Sequence, residues 1–122
     1  MKFLCLAYEE ERVLKRLTEA EWQALRQETL EYIEGLRSSG TLIDAHPLQS
    51  AARAATVRVR NGRTSMTDGP FAETKEQLGG YFLIDVRDRR EALRIAENWP
   101  SARLGAIEVR PVEEELPIES RY

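Results

Sequence analysis

Two short segments of this chain, Lys2–Tyr8 (Lys-Phe-Leu-Cys-Leu-Ala-Tyr) and Tyr81–Val86 (Tyr-Phe-Leu-Ile-Asp-Val), carry apolar residues at consecutive positions. Side chains of a strand alternate between the two faces of a sheet, so a strand that is apolar on both must be central and covered twice. The rest of the chain offers only two helices to do the covering. Thr18 with Glu21 has the spacing of a capping box, and Leu17 with Trp22 that of a hydrophobic staple. Trp22, Leu25, Thr29, Ile33 and Leu36 then recur at helical spacing as one core-facing stripe, and Gly40 can take the positive φ that closes the last turn. This predicts a helix over Glu19–Ser39. Asp88 with Glu91 repeats the cap, followed by the stripe Ala92, Ile95, Ala96 and Trp99, which Pro100 stops.

Turn chemistry supplies a further pair of strands. Asn61-Gly62 sits between Thr56–Arg60 and Arg63–Thr67 inside the segment Ala51–Thr67, and two-residue Asn-Gly loops favour the type I′ hairpin turn. The register this implies sets Val57 opposite Met66 and Val59 opposite Thr64 on one face, leaving Arg58, Arg60, Arg63 and Ser65 on the other. Thr41–His46, ended by Pro47, and Gly105–Val112 read as the remaining strands, and Gly79-Gly80 as the entry to Tyr81–Val86. The expected fold class is α+β, a ferredoxin-like βαββαβ plan with an inserted β-hairpin. Two helices cover one face of its four-stranded sheet, and the other face asks for a second copy of the same sheet, so a homodimer is expected.

At 122 residues one core is expected, with residues 1–112 as a single domain and Glu113–Tyr122 as an acidic, Pro-interrupted C-terminal tail. Eighteen Lys+Arg against 21 Asp+Glu leave a net charge of −3, which argues against direct nucleic-acid binding. No apolar run approaches the length of a membrane span, and the opening residues lack the build of a signal peptide. A cytoplasmic protein with no membrane contact is the expectation. The lone Cys5 reads as a small hydrophobe in an apolar strand.

The stretch Thr67–Tyr81 (Thr-Asp-Gly-Pro-Phe-Ala-Glu-Thr-Lys-Glu-Gln-Leu-Gly-Gly-Tyr) closely resembles the signature of the DGPF-domain proteins, a branch of the YCII-related family. The likeness extends to Met1–Tyr8, Thr56–Arg60 and Ile107–Val112. It implies a ferredoxin-like fold that pairs into a dimeric α+β barrel, no settled biochemical activity, and a genetic link to extracytoplasmic-function sigma factors. Acid–base chemistry by a histidine on the first helix and an aspartate nearby has been suggested for the wider family. The helix Glu19–Ser39 has no histidine, and the single one, His46, lies after it.

Within the motif, Asp68 is a turn-forming residue whose carboxylate can bond the backbone two residues on, and Phe71 is expected to anchor the loop in the core. Glu73, Thr74, Lys75 and Gln77 form a polar cluster that reads either as a solvated helical turn or as a pocket rim where Thr74 and Lys75 receive an anion or carbonyl. The expected ligand-binding residues are Asp68, Phe71, Glu73, Thr74, Lys75 and Tyr81, with Tyr81 and Phe82 as an apolar wall. His46 and Asp68 are the candidate acid–base residues. Asp44 and His46 are too few for a metal site, and Trp22 and Trp99 are explained by packing, so no metal or cofactor is expected. Two function classes stay open. One is a homodimeric module that binds a small molecule; the other is a small dimeric-barrel enzyme using Asp68 or His46. Convergence of those two side chains on one apolar cavity separates them.

Overall fold

A computed structural model describes residues 1–115. The chain runs β1 (Lys2–Glu9), a one-turn helix α1 (Glu11–Leu14), α2 (Glu19–Ser38), β2 (Leu42–Pro47) and a 3-10 turn at Ala51–Arg53. It continues with β3 (Ala55–Arg60), β4 (Arg63–Asp68), β5 (Gln77–Asp85), α3 (Arg89–Glu97), a second 3-10 turn at Pro100–Arg103, and β6 (Gly105–Pro111). The fold is mixed α+β. Four strands form one antiparallel sheet in the order β2-β5-β1-β6, and β3 and β4 form a separate antiparallel ribbon.

Local chemistry sets the helix ends. The Glu21 N–H donates to Thr18 Oγ1 at 3.1 Å and the Thr18 N–H returns to Glu21 Oε1 at 2.9 Å, completing the capping box of α2. Asp88 caps α3 through the Glu91 N–H at 2.9 Å, while the Glu91 carboxylate takes the Arg87 side chain at 2.8 Å. In the ribbon, Asn61 (φ 52°) and Gly62 (φ 74°) both take positive φ, as the Asn-Gly turn requires, and Val57 faces Met66. Between β1 and α2, α1 forms a single turn. Its turn closes because the Val13 N–H donates to the Glu10 carbonyl at 2.9 Å and Arg12 pairs with the Glu10 carboxylate at 2.7 Å.

The core lies between the sheet and α3. Phe3 and Cys5 from β1, Phe82 and Ile84 from β5, and Ala92, Ile95 and Trp99 are all buried. Trp99 stacks flat on Phe82 with centroids 3.8 Å apart and meets the edge of Tyr32 at 5.8 Å. The Tyr32 hydroxyl donates to the Ile95 carbonyl at 2.9 Å, tying α2 to α3. Burial pushes the Cys5 thiol up to about 12, so it stays protonated and inert.

Two expectations are corrected. α2 has no fully buried residue, and Trp22 at the head of its stripe is 43% exposed; only Tyr32, Ile33 and Leu36 of its C-terminal half pack on the core. β5 begins at Gln77, so Gly79-Gly80 lies inside the strand rather than before it. After β6, the Val112 N–H donates to the Lys2 carbonyl at 2.9 Å, and the Lys2 N–H donates to Glu114 Oε2 at 3.0 Å. The rest of the expected tail, residues 116–122, lies outside the described residues.

By strand alternation, Leu4, Leu6, Tyr8, Tyr81 and Leu83 point away from the helices, and each is half-buried. On the ribbon, Val57 is 57% exposed and Met66 is 76% exposed.

Trp99→Ala removes the ring that joins α2, α3 and β5. It is expected to lower stability by about 3–5 kcal/mol, the usual cost of emptying a buried aromatic site, measured by urea unfolding.

Candidate ligand-binding site

The Asp68–Gln77 segment is held by the backbone and by amide bonds, not by the Asp68 carboxylate. Gly69 takes φ 116°, a value glycine adopts without strain. Its N–H donates to the Ala54 carbonyl at 2.7 Å, and its carbonyl accepts from Thr56 Oγ1 at 3.0 Å, so the turn is fastened to the base of the ribbon. Further along, Gln77 Nε2 donates to the carbonyls of Ala72 and Thr74, each at 2.9 Å, and Thr74 Oγ1 donates to the Glu76 carbonyl at 2.7 Å. These bonds shape an irregular loop. The expected solvated helical turn is absent, because Gln77 is drawn back to the preceding carbonyls as the first residue of β5.

The expected core anchor Phe71 is 79% exposed. Phe71 is not part of the core cluster and lies instead on the arginine face of the ribbon, with the Arg58 guanidinium 5.4 Å from its ring centre.

The loop is a wall between two concavities. On one side is a largely apolar cavity of about 640 Å³, with Tyr8, Leu48, Arg53, Phe71 and Leu78 among its lining. On the other is an open polar groove of about 630 Å³ that contains Asp68, Glu73 and Lys75, together with Arg12. Pro70, Thr74 and Gln77 border both.

Tyr81 and Phe82 line neither concavity. Phe82 is in the core under Trp99, which excludes it as a wall, and Tyr81 lies four residues further along β5. Tyr8 and Leu78, paired across β1 and β5, supply the apolar wall in their place. His46 is also elsewhere. Its Nε2 lies 2.9 Å from Asp44 Oδ1 on β2, and the Tyr81 hydroxyl reaches Asp44 Oδ2 at 3.4 Å. His46 and Asp68 line no common cavity among the described residues.

Sequence reasoning missed four residues. Arg53, Leu48 and Gln49 enter from the β2–β3 connection, which carries no motif. Glu9 ends β1 with a half-buried carboxylate. Burial, and then the neighbouring Glu11 carboxylate, push its pKa up. Glu11 is held low by the Ala51 N–H at 2.8 Å and the Ser50 hydroxyl at 3.0 Å.

A family model for the YCII-related domain matches residues 1–115. The chain belongs to the YCII-related family. An uncharacterized protein of Rhizobium meliloti (strain 1021) is 35% identical over 114 residues, covering 92% of each chain. Among solved structures, 5-chloro-2-hydroxyhydroquinone dehydrochlorinase from Burkholderia phenoliruptrix AC1100, determined in complex with 2,5-dihydroxybenzoquinone, superposes with a TM-score of 0.56. It shares 17% sequence identity, over 93% of this chain and 94% of that one, and so it is a likeness of fold. No helix among the described residues is long and apolar enough to cross a membrane.

The raised pKa of Glu9 has a consequence for stability. Its folded-state pKa lies above the unfolded one, so the ionised group costs stability at pH values above the raised pKa. That cost disappears as pH falls below the ordinary carboxyl range, where both states are protonated. Glu9→Gln is therefore expected to raise the melting temperature by a few degrees at most near pH 7, since solvent still reaches the group, and to leave it unchanged near pH 3. Paired thermal melts of the two proteins check this.

Proposed function

We propose that this YCII-related protein is a cytoplasmic, homodimeric module that binds a small molecule against the Asp68–Gln77 loop. Its subunit is read as the ferredoxin-like βαββαβ frame with an inserted ribbon, and two helix-free sheet faces close into an α+β barrel. The observation that carries the binding reading is the cavity of about 640 Å³ between this loop and the end of the sheet. A loop fastened at Gly69 and Gln77 keeps its polar groups arranged in advance, which lowers the ordering cost of docking. The ligand's apolar body lies against Phe71, Leu48 and Leu78. Its anionic or carbonyl end reaches Thr74 and Lys75, with Asp68 and Glu73 orienting it from the groove side. Tyr81 has no part in this arrangement.

A binding module is favoured over an acid–base enzyme because His46 and Asp68 do not converge, and the His46 ring already faces Asp44. A sigma-factor contact forms no part of the reading, since none of these residues requires one.

The dimer is argued from the row Leu4, Leu6, Tyr8, Tyr81 and Leu83, which no helix covers. A two-stranded ribbon is marginal by itself, and its exposed Val57, Val59 and Met66 also gain from a second copy. Sedimentation at micromolar concentration is expected to give a dimer, and Leu6→Glu, placing a charge at the centre of the open face, to give a folded monomer.

The ligand reading is tested by a thermal-shift screen of the wild-type protein against a metabolite library, because a molecule that prefers the native state raises its melting point. Asp68→Asn and Lys75→Ala are expected to fold normally and to weaken the strongest hit at least tenfold. Unchanged binding in both variants removes the site.

A further inference from the structure

α2 is a 20-residue helix without one fully buried side chain. Its C-terminal half rests on the core through Tyr32, Ile33 and Leu36, whereas its N-terminal half stands above the end of the sheet and encloses a cleft of about 350 Å³. Leu14, Trp22, Leu25 and Ile33 form the apolar part of its walls. A largely apolar cleft of this volume has room for a small molecule.

At the end of this cleft lies Glu9. The strand opposite it is adapted to that carboxylate. Ala7 pairs with Gly80 and Tyr8 with Leu78, so Gly79 is the extra residue of a β-bulge. A Cβ at residue 79 would overlap the end of the Glu9 side chain where it now lies, so a larger residue there would move the carboxylate. Among the described residues nothing hydrogen-bonds this carboxylate. Of the polar groups nearby, Glu11 is taken up by Ser50 and Ala51 and His46 lies beside Asp44, while Arg26 lines the same cleft from α2 and Lys15 borders the adjoining concavity.

We propose that this cleft is a second binding site, distinct from the loop cavity, and that it takes a small apolar amine whose protonated nitrogen is received by Glu9. A cation offsets both the desolvation of the carboxylate and its repulsion by Glu11, which a neutral donor does only in part and an anion worsens. Trp22 lines the same cleft, and an indole ring is a favourable neighbour for a cation.

The experiment uses three probes of one shape: 2-phenylethylamine, 2-phenylethanol and 3-phenylpropionate, titrated into the full chain by calorimetry. The amine is expected to bind at least tenfold more tightly than the alcohol, and the carboxylate not at all. Glu9→Gln is expected to weaken the amine at least tenfold while leaving the alcohol unchanged, and Glu9→Asp, which keeps the charge, to retain part of the preference. Gly79→Ala, which displaces the carboxylate, is expected to act like Glu9→Gln, with circular dichroism showing that each variant is folded. The proposal is overturned if amine and alcohol bind equally, if Glu9→Gln keeps the amine affinity, or if none of the probes binds at 10 mM.

Discussion

Everything in this fold leans on Trp99. Stacked on Phe82 at 3.8 Å and met edge-on by Tyr32, it is the point where α2, α3 and the sheet share one contact. Stacked and edge-to-face aromatic pairs add stability beyond the area they bury. Here they also fix geometry, because Tyr32 lies in the C-terminal half of α2 and donates to the Ile95 carbonyl of α3. α2 is therefore held at one end. Its other end, capped by Thr18 and Glu21 but not seated on the core, leans over the sheet and leaves the cleft above Glu9. A helix packed along its whole length would have filled that space.

The second constraint is that the helices cover one face only. Phe3, Cys5, Phe82 and Ile84 take the covered side, and strand alternation then forces Leu4, Leu6, Tyr81 and Leu83 to the other. The edges of that open face carry polar side chains in pairs, Asp44 with His46 on β2 and Glu108 with Arg110 on β6. An apolar centre bordered by paired polar groups is the anatomy of a protein–protein interface, and it fits a sheet from a second copy.

What could be read in the sequence divides by range. The caps at Thr18 and Asp88 and the turn at Asn61-Gly62 were legible because each is decided by residues within four positions of one another. The two-sided strands were legible because alternation is local too. The errors share the opposite cause. Apolarity alone pointed Phe71 into the core, but the separate ribbon gives it Arg58 as a neighbour, a contact set by long-range placement. The wall of the loop cavity is Tyr8 and Leu78 rather than Tyr81, because β5 starts at Gln77. Nothing local distinguishes Glu9 from its neighbours Glu10 and Glu11, and only the pairing of β1 with β5 brings it beside Gly79.

Adjacent residues at the end of β1 thus serve different sides of the sheet. Tyr8 points to the loop cavity and Glu9 to the cleft under α2, as alternation demands. The bulge at Gly79 makes both placements possible at once. It shifts the register so that Leu78 pairs with Tyr8 on the loop side, and it gives the Glu9 carboxylate a position no side chain occupies. The glycine pair that closes the Thr67–Tyr81 motif is therefore a register device, setting which face of β1 meets which concavity. In a family where a helix histidine has been suggested as the acid–base group, this chain has none on α2, and the ionisable group that its sheet turns toward that helix is Glu9. The motif matters to the far side of the sheet as much as to the loop it forms.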